Sequence, residues 1–135
     1  SARVNSARDP RTAASDYARA YANFVQAFGP YDIHTAQAAL QMASLSISAG
    51  ELGQALRYIE PSLVAAKSAQ NGRLLFSLLA MKAAIYEHEG RIAQANELRQ
   101  EAIGWGQYGV YEPGEINHRL KIIAGLIPQL PETKG

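Results

Sequence analysis

Apolar side chains recur at three- and four-residue intervals through most of this chain, which is the spacing of one face of an α-helix. Tyr17, Tyr21, Phe24, Val25 and Phe28 make such a face, and predict a helix from Pro10 to about Phe28 that stops at Gly29-Pro30. Pro10 suits a first helical turn, with Asp9 before it as a cap. A second helix starts at Asp32 or Thr35 and runs to about Ala49. Ala36, Ala39, Leu40, Ala43 and Ile47 lie inside; Gln37, Gln41, Ser44 and Ser48 lie on the other side. Leu52, Ala55, Leu56, Ile59 and Leu63 predict a third helix from about Glu51, closed by Asn71-Gly72, with a kink or break at Pro61.

The fourth helix, from about Arg73 to Glu89, is apolar on many sides: Leu74, Leu75, Phe76, Leu78, Leu79, Met81, Ala83, Ile85 and Tyr86. A helix of that kind is packed between neighbours, so it is the expected centre of the domain. Arg91 to Ile103 predict a fifth helix with Ile92, Ala95, Leu98, Ala102 and Ile103 inward, followed by a connecting segment from Gly104 to Gly114. The last helix is expected from about Pro113 to Ile127, with Ile116, Leu120, Ile123 and Leu126 or Ile127 on one face. Pro128 and Pro131 then end regular structure.

The stretch from His34 to Ile103 says nearly the same thing twice. Shifted by 40 residues, Ala43 falls on Ala83, Gly50 on Gly90 and Ala55 on Ala95. Each copy reads as helix, short turn at the glycine, second helix. A fixed period in this range marks a stacked helical repeat, whose units bury their apolar faces on one another and leave a concave surface.

The punctuation residues resemble the tetratricopeptide repeat, in its long form of about 40 residues found in kinesin-light-chain-like arrays. The second copy carries Ala83, Tyr86, Gly90, Ala95 and Ala102; the first carries Ala43, Ser46, Gly50 and Ala55. The lead-in from Phe28 to Thr35 is similar to the inter-repeat linker of the long form. Two positions depart from the pattern: Ser46 replaces an aromatic, and Lys82 stands where the family usually has Leu. The resemblance implies an all-α fold of tetratricopeptide-like antiparallel helical hairpins, an α-α superhelix of about six helices. Residues 1–9 would form a flexible arm and 10–127 a single domain, with repeats at about 32–71 and 72–110 between capping helices. Residues 128–135 would be a tail.

In such an array the concave groove is lined by outward positions of the first helix of each hairpin. Here those are Gln37, Gln41, Ser44 and Ser48, then Ser77, Met81, Ala84 and His88, with Asn117 and Lys121 on the last helix. Amides, hydroxyls and a soft Met suit an extended or helical peptide. The resemblance therefore implies a non-catalytic interaction or scaffold module that binds a peptide or protein segment. The alternative is a domain that self-associates into a homo-oligomer. The Lys, Asn and Arg set with which some tetratricopeptide domains grip a terminal carboxylate is not legible: Lys82 is one step off the face and Arg73 sits at a helix start.

Composition narrows the rest. The 135 residues are 47% hydrophobic and 19% charged, and 13 basic against 12 acidic residues leave a formal charge of +1. No basic stripe points to nucleic acid. With no cysteine there is no disulfide and no thiolate metal site, and nothing is implied about compartment. No run approaches the roughly 18 apolar residues of a membrane span. The chain opens Ser1-Ala2-Arg3-Val4, without Met and without a signal-peptide pattern, and is expected to be a processed or excised piece.

Two motifs read as chance. Gly104-Trp105-Gly106-Gln107-Tyr108-Gly109 matches the dinucleotide fingerprint, but a helix precedes it where a strand is required. Its aromatics, with Tyr111, are expected to cover the end of the fifth helix. Glu115 and His118 lie one turn apart as in di-iron bundles, but no second such pair exists. His34 and His88 are isolated, so no catalytic, cofactor or metal site is expected.

Overall fold

The computed structural model describes residues 10–129; the proposed arm, the Asp9 cap and residues 130–135 of the tail lie outside that range. The described chain is all-helical, with six helices packed antiparallel against their neighbours. They are α1 (Pro10–Phe28), α2 (Ile33–Ser48), α3 (Leu52–Ser68), α4 (Gly72–His88), α5 (Ile92–Tyr108) and α6 (Pro113–Ala124). α2 with α3 and α4 with α5 form the two hairpins, α1 packs on α2, and α6 packs on α4 and α5.

The 40-residue period reappears in the backbone. The chain takes left-handed φ values at Gly50, Gln70, Gly90 and Val110, of 78°, 52°, 83° and 67°. At each, the next residue's N–H reaches back across the helix end: Glu51 to the Ser46 carbonyl, Asn71 to Ala66, Arg91 to Tyr86, Tyr111 to Gly106. Such closures satisfy carbonyls that a helix end leaves without partners. Glycine occupies the two turns inside hairpins, but Gln70 and Val110 make the turns that follow them. Val110 is 76% exposed and is β-branched in a conformation that costs an L-residue about 1–2 kcal/mol. Val110→Gly is therefore expected to raise the melting temperature, with a net gain of about 0.5–1 kcal/mol after glycine's greater loss of chain entropy. A lower melting temperature would mean that the Val110 side chain contributes packing this geometry does not show.

α4 is the centre, as its composition predicts. It packs against α2, α3, α5 and α6, and Leu74, Leu75, Phe76, Leu78, Leu79, Ala80, Met81, Ala83, Ala84 and Ile85 are all buried. Around it many of the buried positions are short: Ala36, Ala39 and Ala43 on α2, Ala55, Ala65 and Ala66 on α3, Ala95 and Ala102 on α5. Small side chains let helix backbones approach closely while keeping the interior dense.

Four local expectations change. α3 runs unbroken through Pro61, because burial of Ala55, Ile59, Leu63 and Ala66 outweighs one missing backbone hydrogen bond. Beside it the buried Ser62 hydroxyl donates to the Tyr58 carbonyl at 2.7 Å. α5 continues five residues past Ile103, taking in Gly104 to Tyr108 of the segment expected as a connection. α6 ends at Ala124 rather than Ile127. Ile92, expected inward, is 49% exposed at the start of α5.

The extension of α5 rests on a close backbone approach. A Cβ at Gly72 would lie 2.6 Å from the Trp105 carbonyl oxygen and 2.8 Å from the Gly109 nitrogen. At Gly106 it would lie 3.0 Å from Phe76 and 3.3 Å from Ile116. The dinucleotide-like motif is thus a packing device inside a helix, not a phosphate loop.

Candidate functional site

α2 and α4 are the first helices of the two hairpins, and α4 lies between α2 and α6. Their shared face is a groove. Its middle is a depression of about 210 Å³ with Leu40, Gln41 and Ser44 from α2, Ser77 and Met81 from α4, and Arg119, Ile122, Ile123 and Leu126 from α6 and its end. Towards the start of α4 it opens into a wider hollow of about 400 Å³ lined by Gln37, Leu40, Asn71, Arg73, Leu74, Ser77, Tyr111 and Arg119. Leu40, Ser77 and Arg119 belong to both, so the two are continuous.

The other end is covered by the chain itself. Ala84, Glu87 and His88 near the end of α4 face Ala124, Ile127, Pro128 and Gln129 across a third depression of about 210 Å³. Pro128 also approaches the α2–α3 turn, where a Cβ at Gly50 would sit 3.8 Å from its ring. Leu126 and Ile127 pack on the hydrophobic core. The segment after α6 therefore crosses from α6 towards α2 and closes this end.

Of the residues expected in the groove, Gln37, Gln41, Ser44, Ser77 and Met81 come together along its open part, and His88 with Ala84 lines the closed end. Ser48, Asn117 and Lys121 are exposed but line none of these depressions. Met81, expected to point outward, is only 4% exposed and forms the floor. Met81→Glu would thus disturb folding, because it places a carboxylate among buried apolar atoms. The exposed wall residues Gln41 and Ile122 are the ones that probe the groove alone.

Sequence reasoning missed the α6 wall. Arg119, Ile122, Ile123 and Leu126 recur at helical spacing, and adjacent Ile122 and Ile123 cannot both face the core. Ile123 is buried and Ile122 is 53% exposed along the groove. It also missed the cationic end. The guanidinium carbons of Arg73 and Arg119 each lie 4.5 Å from the centre of the Tyr111 ring, which meets Phe76 edge-on at 5.6 Å. Arg73 Nε donates to the Gly109 carbonyl at 2.7 Å, and Arg119 Nε donates to Glu115 Oε2 at 3.0 Å. Glu115 is thus engaged with Arg119, not with His118. At the start of α4, Asn71 Oδ1 accepts from the Leu74 N–H at 3.1 Å.

The remaining singled-out residues do structural work. Asp32 caps α2 by accepting from the His34 N–H at 2.8 Å, and that bond holds its carboxyl below the usual range. The His34 ring stacks on Phe28 at 4.9 Å. Lys82 pairs with Glu60 at 2.8 Å and lies 5.6 Å from the Tyr86 ring centre, while the Arg91 guanidinium sits 3.8 Å from it. Trp105 and Tyr108 meet edge-on at 5.5 Å over a shallow hollow with Glu101 and Gly104, separate from Tyr111. Among the described residues no group of three or more His, Cys, Asp or Glu could hold a metal ion, and no helix is long and apolar enough to cross a membrane.

Comparison with known proteins finds no matching family model, no matching curated protein and no matching solved structure.

Proposed function

We propose that this chain is a non-catalytic interaction module of tetratricopeptide-like hairpins that binds a peptide or protein segment along the α2–α4–α6 groove. The observation that carries the reading is the continuity of that groove. Gln37, Gln41, Ser44 and Ser77, four uncharged hydrogen-bonding side chains from two helices, border one channel with an apolar floor. An extended segment needs that pairing: its backbone groups require partners, and its apolar side chains require a dry pocket. The spacing of Gly50, Gln70, Gly90 and Val110 supports the repeat reading independently of side-chain identity.

The test is selection of a random peptide library on the purified chain, followed by affinity measurement with Gln41→Glu/Ile122→Glu. Both side chains are exposed, so the helical circular dichroism is expected to stay unchanged while affinity falls by about tenfold or more. Unchanged affinity in a folded double variant would remove the groove as the binding site.

Self-association is the second reading, favoured by the first helix. An apolar hollow between α1 and α2 is lined by Tyr17, Ala20, Phe24, His34, Gln37 and Ala38; Phe28, 51% exposed, stacks on Phe24 and His34 beside it, and Tyr31 in the following turn is 63% exposed. Light-scattering mass decides it: a stable dimer that enriches no peptide would make assembly the role.

A further inference from the structure

We infer that the open end of the groove reads an acidic side chain within the bound segment, next to an apolar residue seated between Leu40, Met81 and Ile123. This rests on the peptide-binding reading and adds the chemistry of the partner. The charged side chains lining the hollow at that end are Arg73 and Arg119, with no carboxylate among the lining residues, although the whole chain carries a net charge of only +1. Both guanidiniums lie 4.5 Å from one ring centre, so their central carbons are at most 9 Å apart, twice that distance.

They are also held in place. Tyr111 and the Gly109 carbonyl fix Arg73 through its ring contact and its Nε. That leaves its terminal N–H groups for a carboxylate, and among the described residues Arg73 makes no ion pair. A fork held beforehand loses little freedom when a planar carboxylate docks on it. Arg119 is partly neutralised by Glu115, so Arg73 is the main contact and Arg119 the supporting charge. The start of α4, beside Asn71, adds a partial positive charge of the same sense.

Topology decides which carboxylate. Pro128 and its neighbours close the far end, so a bound segment leaves past the arginines into solvent. The group met there is then an Asp or Glu side chain in mid-segment, not a chain terminus.

The experiment selects one random decapeptide library on the wild-type chain and on Arg73→Gln, which leaves the Arg119–Glu115 pair intact. The wild type is expected to enrich peptides with an internal Asp or Glu within a few residues of an apolar side chain, and Arg73→Gln to lose that preference. For the best wild-type peptide, acid-to-amide replacement should weaken binding about tenfold and high salt should weaken it further, while C-terminal amidation should change nothing. Equal enrichment of peptides without acids overturns the inference. If binding is then still lost in Gln41→Glu/Ile122→Glu, the groove reading survives without it. Loss on amidation, with none on side-chain neutralisation, overturns it in favour of a terminal carboxylate. If no peptide is enriched, both readings fail together.

Discussion

Phe76→Ala is expected to lower the unfolding free energy by about 3–5 kcal/mol, the range for truncating a fully buried aromatic. Phe76 is 0% exposed and lies on α4, the helix that all but α1 pack against. Its ring meets Tyr111 edge-on at 5.6 Å and lies beneath Gly106 on α5, within reach of Ile116 on α6. Truncation therefore leaves a cavity where three elements meet, and none can move inward without dragging the others. Tyr111 also positions Arg73 and Arg119, so the cationic end of the groove should loosen even where the chain still folds. Urea unfolding followed by circular dichroism measures the first effect, and near-ultraviolet dichroism of the tyrosines the second. A loss below about 1 kcal/mol would mean that the α4–α5–α6 junction repacks freely, contrary to interior packing of native density.

Gly72→Ala and Gly104→Ala are expected to move stability in opposite directions. Both replace a helical glycine with the best helix former, which in a helix interior such as that around Gly104 gains about 1 kcal/mol by propensity alone. At Gly104 nothing lies within 4 Å of the added carbon, so that gain should appear. At Gly72 the methyl would meet the backbone of α5 at 2.6 Å and 2.8 Å and a Tyr108 ring carbon at 3.0 Å. Backbone cannot rotate away as a side-chain tip can, so the start of α4 and the end of α5 must separate. Overpacking of this kind costs about 1–3 kcal/mol, and more where the clash is with main chain. Parallel melting curves give the signs directly. A stabilised Gly72→Ala would show that the two helix ends are not in van der Waals contact in solution.

These variants mark where local pattern stops being informative. The glycines from Gly104 to Gly109 looked like a loop because glycine is a poor helix former, yet two of them lie inside α5. Gly106 is tolerated there because Phe76 and Ile116 occupy the space its side chain would need. Pro61 misled in the same way: its cost is local, and the burial that offsets it comes from α2 and α4. Gln70 and Val110 carry no turn signature, yet they adopt the left-handed backbone that Gly50 and Gly90 announce.

The groove divides along the same line. Gln37, Gln41, Ser44 and Ser77 were legible because a helix with one apolar face has a predictable other face. Met81 was legible as a groove residue but not as a buried one, since α4 is covered on more sides than a two-faced helix. Arg73 and Tyr111 lie 38 residues apart, and Arg119 a further 8 beyond Tyr111, so no spacing rule joins them.

By itself the sequence determined six helices, their order, the centrality of α4 and the polar faces of α2 and α4, which depend on residues within a turn or two of one another, and the 40-residue repeat, which is visible because equivalent small residues recur at one fixed spacing. The tertiary structure alone decided the rotation of α6, the closure at Pro128 and the meeting of Arg73, Tyr111 and Arg119. Those depend on how whole helices cross, and crossing is set by the summed shapes of buried side chains from separate elements.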